Sequence, residues 1–197
     1  MPFGIVFRMI EQLEQIDRKL FLLINGANTE ILDQFMWFMS QKYVWIPFYL
    51  VLLIIFIVHY GWRQSLVYIV PSVVVLIALS DQISVQLFKN VFERYRPCHN
   101  LELQSVVHLV DDHCGGKFGF VSSHAANSFA LAVFIVRMVN WRSLAAFILI
   151  WAVVVSYSRI YLGVHYPADI LGGAVLGSVI ALVISQILRS LLKVRIK

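Results

Sequence analysis

From Val44 onward the chain is built from apolar runs long enough to cross a bilayer, and that excludes most folds. Residues 44–60 carry no charge, and residues 65–89 hold a single carboxylate, Asp81, before Lys89. Residues 123–139, 143–161 and 167–192 complete the set. Each has about the 17–25 residues that a helical span needs. A backbone in lipid must satisfy its own polar groups, and continuous apolar runs of this length read as helices. The whole 197-residue chain is 60% hydrophobic and 14% charged, against about a quarter charged in soluble domains. The expected class is an all-α, polytopic integral membrane helical bundle. It has about five transmembrane helices, preceded by N-terminal amphipathic surface helices.

Those surface helices are expected in residues 1–43. Phe7, Ile10, Leu13, Ile16, Leu20 and Phe21 recur at three- and four-residue steps, while Arg8, Glu11, Glu14, Asp17, Arg18 and Lys19 fill the other positions. That pattern is amphipathic and too charged to span. Asn25-Gly26-Ala27-Asn28 breaks it, and residues 29–41 give a second short amphipathic piece. The start of the chain shows no basic segment leading into an apolar core and cleavage site, so no cleaved signal peptide is expected. Residues 44–197 form the membrane-spanning domain, with Pro71 expected to kink its second span and residues 95–119 forming a polar loop.

Three polar clusters interrupt the apolar runs. They are Lys89 to Arg96-Pro97, Ser122-Ser123-His124, and Ser158-Arg159 to His165 and Asp169. Polar and ionisable groups are costly near lipid and mark functional sites. Because spans alternate in direction, all three clusters fall on one membrane face. The opposite ends carry Arg63, Arg137, Arg142, Arg189, Lys193, Arg195 and Lys197, with no acid among them. By the positive-inside rule those ends, and the C-terminus, are cytoplasmic. The clusters, the loop and the N-terminal helices then face the exoplasm, the periplasm of a Gram-negative inner membrane. This explains much of the net charge of +5 and leaves no need for a nucleic-acid partner. Cys98 and Cys114 share the oxidising loop, so a disulfide between them is plausible.

Lys89, Arg94, Arg96 and Arg159 suit a phosphate or diphosphate. Ser122 and Ser123 open a helix, where free N–H groups and the helix dipole favour an anion. Of two histidines, one can attack phosphorus while the other protonates the leaving oxygen. Asp169 can hold the attacking imidazole in its tautomer, as the acid does in a Ser-His-Asp triad. His99, His108, His113, Asp111 and Asp112 in the loop fit no standard metal-ligand spacing, and no metal site is expected.

These residues resemble the signature of the type 2 phosphatidic acid phosphatase (PAP2) superfamily. Lys, six residues, Arg-Pro matches Lys89 through Arg96-Pro97. Ser-Arg, five residues, His, three residues, Asp matches Ser158-Arg159, His165 and Asp169. Pro-Ser-Gly-His falls on Val121-Ser122-Ser123-His124, with Val for Pro and Ser for Gly. The resemblance covers roughly residues 80–185. It implies that His165 is the nucleophile forming a phosphohistidine, with Asp169 orienting it. His124 protonates the leaving group and then activates water. Lys89, Arg96, Ser122, Arg159 and the N–H of Ser123 hold the phosphate, with no metal or other cofactor.

The expected function is hydrolysis of a lipid phosphate or diphosphate at the periplasmic face, with the bilayer and its lipid as partners and no obligatory protein partner. Undecaprenyl diphosphate is the first expectation, with phosphatidylglycerol phosphate and lipid A phosphate as alternatives. A reading from another class is a non-catalytic lipid-phosphate binding or transport protein. Asp81 lies eight residues before Lys89, about 12 Å deeper in its span. It either pairs inside the bundle or sits protonated in a cavity near the lipid tail.

Overall fold

The computed structural model describes residues 2–192, with side chains from Val6 onward. Of the cytoplasmic cations expected from sequence, Lys193, Arg195 and Lys197 lie outside the described residues. The helices are α1 (Pro2–Asn25), α2 (Glu30–Ser40), α3 (Ile46–Tyr60), α4 (Trp62–Phe92), α5 (Ser123–Met138), α6 (Arg142–Tyr161) and α7 (Pro167–Leu192). Local chemistry sets their limits. Thr29 caps α2 by accepting the Leu32 N–H at 3.3 Å, and Glu30 and Asp33 complement the dipole in its first turn. Gly61, at φ 85°, separates α3 from α4. Pro167 opens α7, where its missing N–H costs nothing.

Pro71 does not end α4. The turn before it, Ser65–Ile69, widens to π geometry, with the Val70 N–H reaching back five residues to the Ser65 carbonyl. Pro71 removes a donor and crowds the preceding turn, and the wider turn accommodates it. A second π turn, Ser84–Lys89, ends on the first cation of the polar clusters. π turns often occur at functional sites.

Four helical segments are long and apolar enough to cross a membrane: Tyr43–Tyr60, Trp62–Phe92, Arg142–Tyr161 and Pro167–Leu192. The expected span at 123–139 is a helix of 16 residues, α5, shorter than these four. The reason is its position. α5 packs against α4, α6 and α7 at the centre of the bundle, and Ala125, Ala126, Ala130, Ala132, Phe134, Ile135 and Met138 are all buried. A helix that faces protein on all sides needs small residues more than a lipid-facing apolar surface.

Contact between α5 and α7 joins the second cluster to the third. Gly173 and Gly177 stand four residues apart on the α7 face that meets α5. A Cβ at Gly173 would lie 2.5 Å from the Ser122 carbonyl oxygen, and one at Gly177 would lie 1.9 Å from that of Ala126. Small residues at this spacing let helix backbones approach closely in membranes.

The N-terminal helices pack on the same end of the bundle as the polar clusters. The Asn25 amide donates to the carbonyls of Tyr161 (2.7 Å) and His108 (2.8 Å) and accepts the His108 N–H at 2.8 Å. Asp33 on α2 accepts from the Tyr161 hydroxyl at 2.7 Å and pairs with His108 at 3.0 Å. Asp17 and Asn25 of α1 turn inward, whereas Phe7, Ile10, Leu13, Ile16 and Leu20 stay exposed. An inward polar side and an outward apolar stripe suit a helix lying at a membrane surface. Phe21 departs from that stripe and is buried edge-on against Tyr166.

Gly177→Ala is expected to push α5 and α7 apart and destabilise the protein by about 1–3 kcal/mol, the usual cost of overpacking. Thermal unfolding in detergent should show a lower midpoint than for Leu171→Ala, which alters an exposed position on the same helix. Equal midpoints would show that the close approach is dispensable.

Candidate active site

The site is assembled where α6 turns into α7. Val164 and His165 both donate their N–H groups to the Arg159 carbonyl, each at 3.2 Å. That tight turn leaves no room at Gly163, where φ is 76° and a Cβ would lie 2.7 Å from the His108 carbonyl oxygen. The turn delivers His165, 1% exposed, against Asp169, which is fully buried.

Asp169 is held from three directions. Its Oδ2 faces His165 Nδ1 at 3.2 Å and accepts the Tyr166 N–H at 3.0 Å. Its Oδ1 accepts from Arg94 Nη1 at 2.8 Å. A Cβ at Gly119 would come within 2.9 Å of Asp169 Oδ2 and 3.5 Å of His165 Nδ1, so the loop can close here only with glycine. With Nδ1 so engaged, Nε2 is the ring nitrogen available for chemistry. Burial, and then the positive charges of Arg96, Arg159 and Lys89, hold the His165 pKa well below the ordinary imidazole value. Those effects favour the neutral ring, which keeps the lone pair that a nucleophile requires.

Lys89, Arg96, Ser123 and His124 line one cavity of about 590 Å³. Lys89 Nζ donates to Ser123 Oγ at 2.7 Å, and Ser84 Oγ lies 2.6 Å from the same oxygen. The serine that replaces the signature glycine thus anchors Lys89. Arg96 donates to the carbonyls of Cys114 at 2.9 Å and Phe118 at 3.3 Å. Arg159, 6% exposed, donates to Ser40 Oγ of α2, and its Nε has no partner among the described residues. Ser122 acts as the α5 cap: its Oγ accepts the Ala125 N–H at 3.4 Å while its own N–H donates to the Asp169 carbonyl at 2.9 Å. The three sequence clusters therefore meet. The Ser122 Oγ accepts at the cap of the helix that presents His124, which leaves its O–H free to donate.

The loop is tied down over this end. Cys98 and Cys114 are bridged, with Cα atoms 5.9 Å apart. His99 reaches the Gly115 carbonyl at 3.2 Å, and His113 packs edge-on against Trp37. With His108 on Asp33, each loop histidine has a protein partner.

Two residues central to this geometry escape the sequence signature. Arg94 binds Asp169 through Nη1 and Asp17 through Nη2 (2.7 Å), and its guanidinium lies 4.2 Å above the Tyr166 ring. Asp17 also accepts the Ala168 N–H at 2.8 Å. The sequence shows Arg94 as one more cation on the cluster face, and nothing local marks Asp17 as different from its acidic neighbours on α1. Arg94→Ala is expected to destabilise the protein by about 3–5 kcal/mol, because it strands a buried carboxylate. Asp17→Asn should cost less, since it keeps an acceptor for Ala168. Thermal midpoints of both variants check the order; the reverse order would show that Asp169 is satisfied without Arg94.

Residues 66–192 match the PAP2 superfamily. The chain is 38% identical over 170 residues to the lipid A 4'-phosphatase of Bacteroides thetaiotaomicron, covering 86% of this chain and 75% of the relative. It is 35% identical over 173 residues to the lipid A 4'-phosphatase of Porphyromonas gingivalis, covering 87% and 72%. Among solved structures it resembles Aquifex aeolicus LpxE with a TM-score of 0.66 and 27% identity, covering 85% of this chain and 93% of that one. The geometry unites the three signature clusters, the match extends over most of the chain, and the protein belongs to the PAP2 superfamily as a membrane lipid phosphatase.

Proposed function

We propose that this phosphatase removes the phosphate from an acylated amino-sugar lipid of the lipid A type, at the periplasmic face of an inner membrane, through a phosphohistidine on His165. The observation that carries the choice of lipid is the 38% identity to a relative named lipid A 4'-phosphatase. It outweighs the first expectation of undecaprenyl diphosphate. The outward orientation is supported by Arg63, Arg137, Arg142 and Arg189 at the opposite helix ends.

In the proposed mechanism the substrate phosphate enters among Lys89, Arg96 and Arg159. Their charges offset its own and stabilise the further charge that develops on the transferring group. His165 Nε2 attacks phosphorus, and the Nδ1 proton is held by Asp169. The bond from phosphorus to the lipid oxygen breaks, and His124 gives that oxygen a proton. The dephosphorylated lipid leaves. His124, now neutral, takes a proton from water as the water attacks the phosphohistidine, and inorganic phosphate departs with His165 restored. Fixed cations supply the role that a metal fills in other phosphatases, so no metal is required.

His165→Ala should abolish phosphate release from an acylated glucosamine disaccharide 4'-phosphate, and His124→Ala should lower kcat by about 10²–10⁴-fold, the range for general acid–base groups. A colorimetric phosphate assay on purified protein measures both, and full activity of the His165 variant would overturn the mechanism. Wild-type activity should survive excess EDTA; its loss, with recovery on adding a divalent cation, would overturn metal independence.

A further inference from the structure

The cavity does not stop at the phosphate site. From Lys89, Arg96, Ser123 and His124 it continues between α3, α4, α5 and α6 along a wall that includes Leu52, Phe56, Ile69, Val73, Ile77 and Leu131. Such a channel suits a hydrocarbon chain, but polar residues interrupt it, among them Asp81, Asn127 and Trp151. None of these three has a role in the mechanism.

Their positions follow from helix geometry. Asp81 lies eight residues before Lys89 on α4, and Trp151 lies eight residues before Arg159 on α6. Both helices run toward the phosphate end, so both residues sit at a similar depth, about 12 Å below their cations. Asn127 is one turn below His124, at an intermediate depth of about 4–5 Å.

Each has unmet bonding capacity. Among the described residues no hydrogen bond or ion pair engages the Asp81 carboxylate; Ser84 bonds its backbone carbonyl, and Lys89 donates to Ser123 instead. Asn127 Oδ1 and Trp151 Nε1 are buried without partners among the described residues, and Trp151 is only 5% exposed. Buried polar groups are normally satisfied, and each exception needs a reason. An ionisable residue at membrane depth marks function. Here one ionisable residue and two buried, unpartnered polar groups line the same cavity.

We infer that Asp81, Asn127 and Trp151 form a polar subsite below the phosphate that binds the hydroxyl and carbonyl groups of an acylated lipid phosphate. This deepens the function proposed above and rests on it. An ionised carboxylate only accepts, an indole N–H only donates, and a carboxamide does both. The matching ligand therefore carries a hydroxyl or amide N–H together with a carbonyl, within about 5–12 Å of its phosphate along the helix axes. Amide- and ester-linked hydroxyacyl chains on an amino sugar offer both. A polyprenyl chain offers neither. It would strip water from Asp81 without replacing the lost hydrogen bonds, and sites built around hydrogen bonds discriminate strongly against ligands that lack the partner groups.

The test compares kcat/KM for an acylated glucosamine disaccharide 4'-phosphate and for a polyprenyl diphosphate in wild type, Asp81→Leu, Asp81→Asn and Asn127→Leu. The wild type should prefer the glycolipid. The ratio of the two constants should fall by about 10–100-fold in both leucine variants and by less in Asp81→Asn, which retains an acceptor oxygen. Thermal midpoints show whether each variant is folded, and the isosteric Asp81→Asn keeps the test open if Asp81→Leu is not. An unchanged ratio overturns the subsite, whether both activities hold or both fall together; a shared fall would place Asp81 in the support of Lys89. Wild type active on phosphatidylglycerol phosphate but not on the glycolipid would overturn the headgroup reading alone. The same ratios, taken against that acylated lipid, would then decide the subsite. Activity on the polyprenyl substrate alone would overturn both.

Discussion

The arrangement of this end of the protein follows from one buried carboxylate. Asp169 has no exposed surface, so every lone pair it presents needs a donor. Arg94, the Tyr166 N–H and His165 meet that need, and each commits a different part of the chain. Arg94 brings the segment after α4, and Asp17 brings α1 to the other side of Arg94. Tyr166 and His165 fix the turn between α6 and α7. The carboxylate beside the His165 ring thus also gathers the elements around the site, so local folding and the placement of His165 are one constraint.

That carboxylate can be held only if the helices beneath it approach closely. Gly173 and Gly177 bring the α7 backbone onto α5, and this contact lets the Ser122 N–H reach the Asp169 carbonyl. α5 is short and rich in alanine because protein surrounds it. It presents His124 while the longer helices around it face the lipid. The division of labour explains why the helix carrying the second cluster is the least like a membrane span.

Much of this was legible in the sequence because the membrane simplifies the code. Apolar runs located α3 to α7, and the alternation of those five helices placed the three clusters on one face before any geometry was available. The signature spacing then singled out His165, Asp169, Arg159, Lys89, Arg96 and His124. What stayed hidden depends on tertiary contacts. Asp17 is partnered across about 150 residues of chain, and its periodicity on α1 matches that of neighbours that face solvent. Gly119 lies outside every signature and matters only because His165 and Asp169 fold against it. Ser123 reads in sequence as a departure from the pattern, and only its contact with Lys89 and Ser84 explains how it is accommodated.

The arginines show how the structure separates cations that build the site from those left free for a ligand. Arg94 is shared between two carboxylates and stacked on Tyr166, so its charge is consumed within the protein. Lys89, Arg96 and Arg159 are handled differently. Each is oriented by neutral acceptors, the hydroxyls of Ser123 and Ser40 and the carbonyls of Cys114 and Phe118, and no ion pair engages any of them among the described residues. Neutral acceptors fix direction without cancelling charge. Three cations held this way beside a neutral imidazole repel one another, and that repulsion is relieved by an incoming dianion.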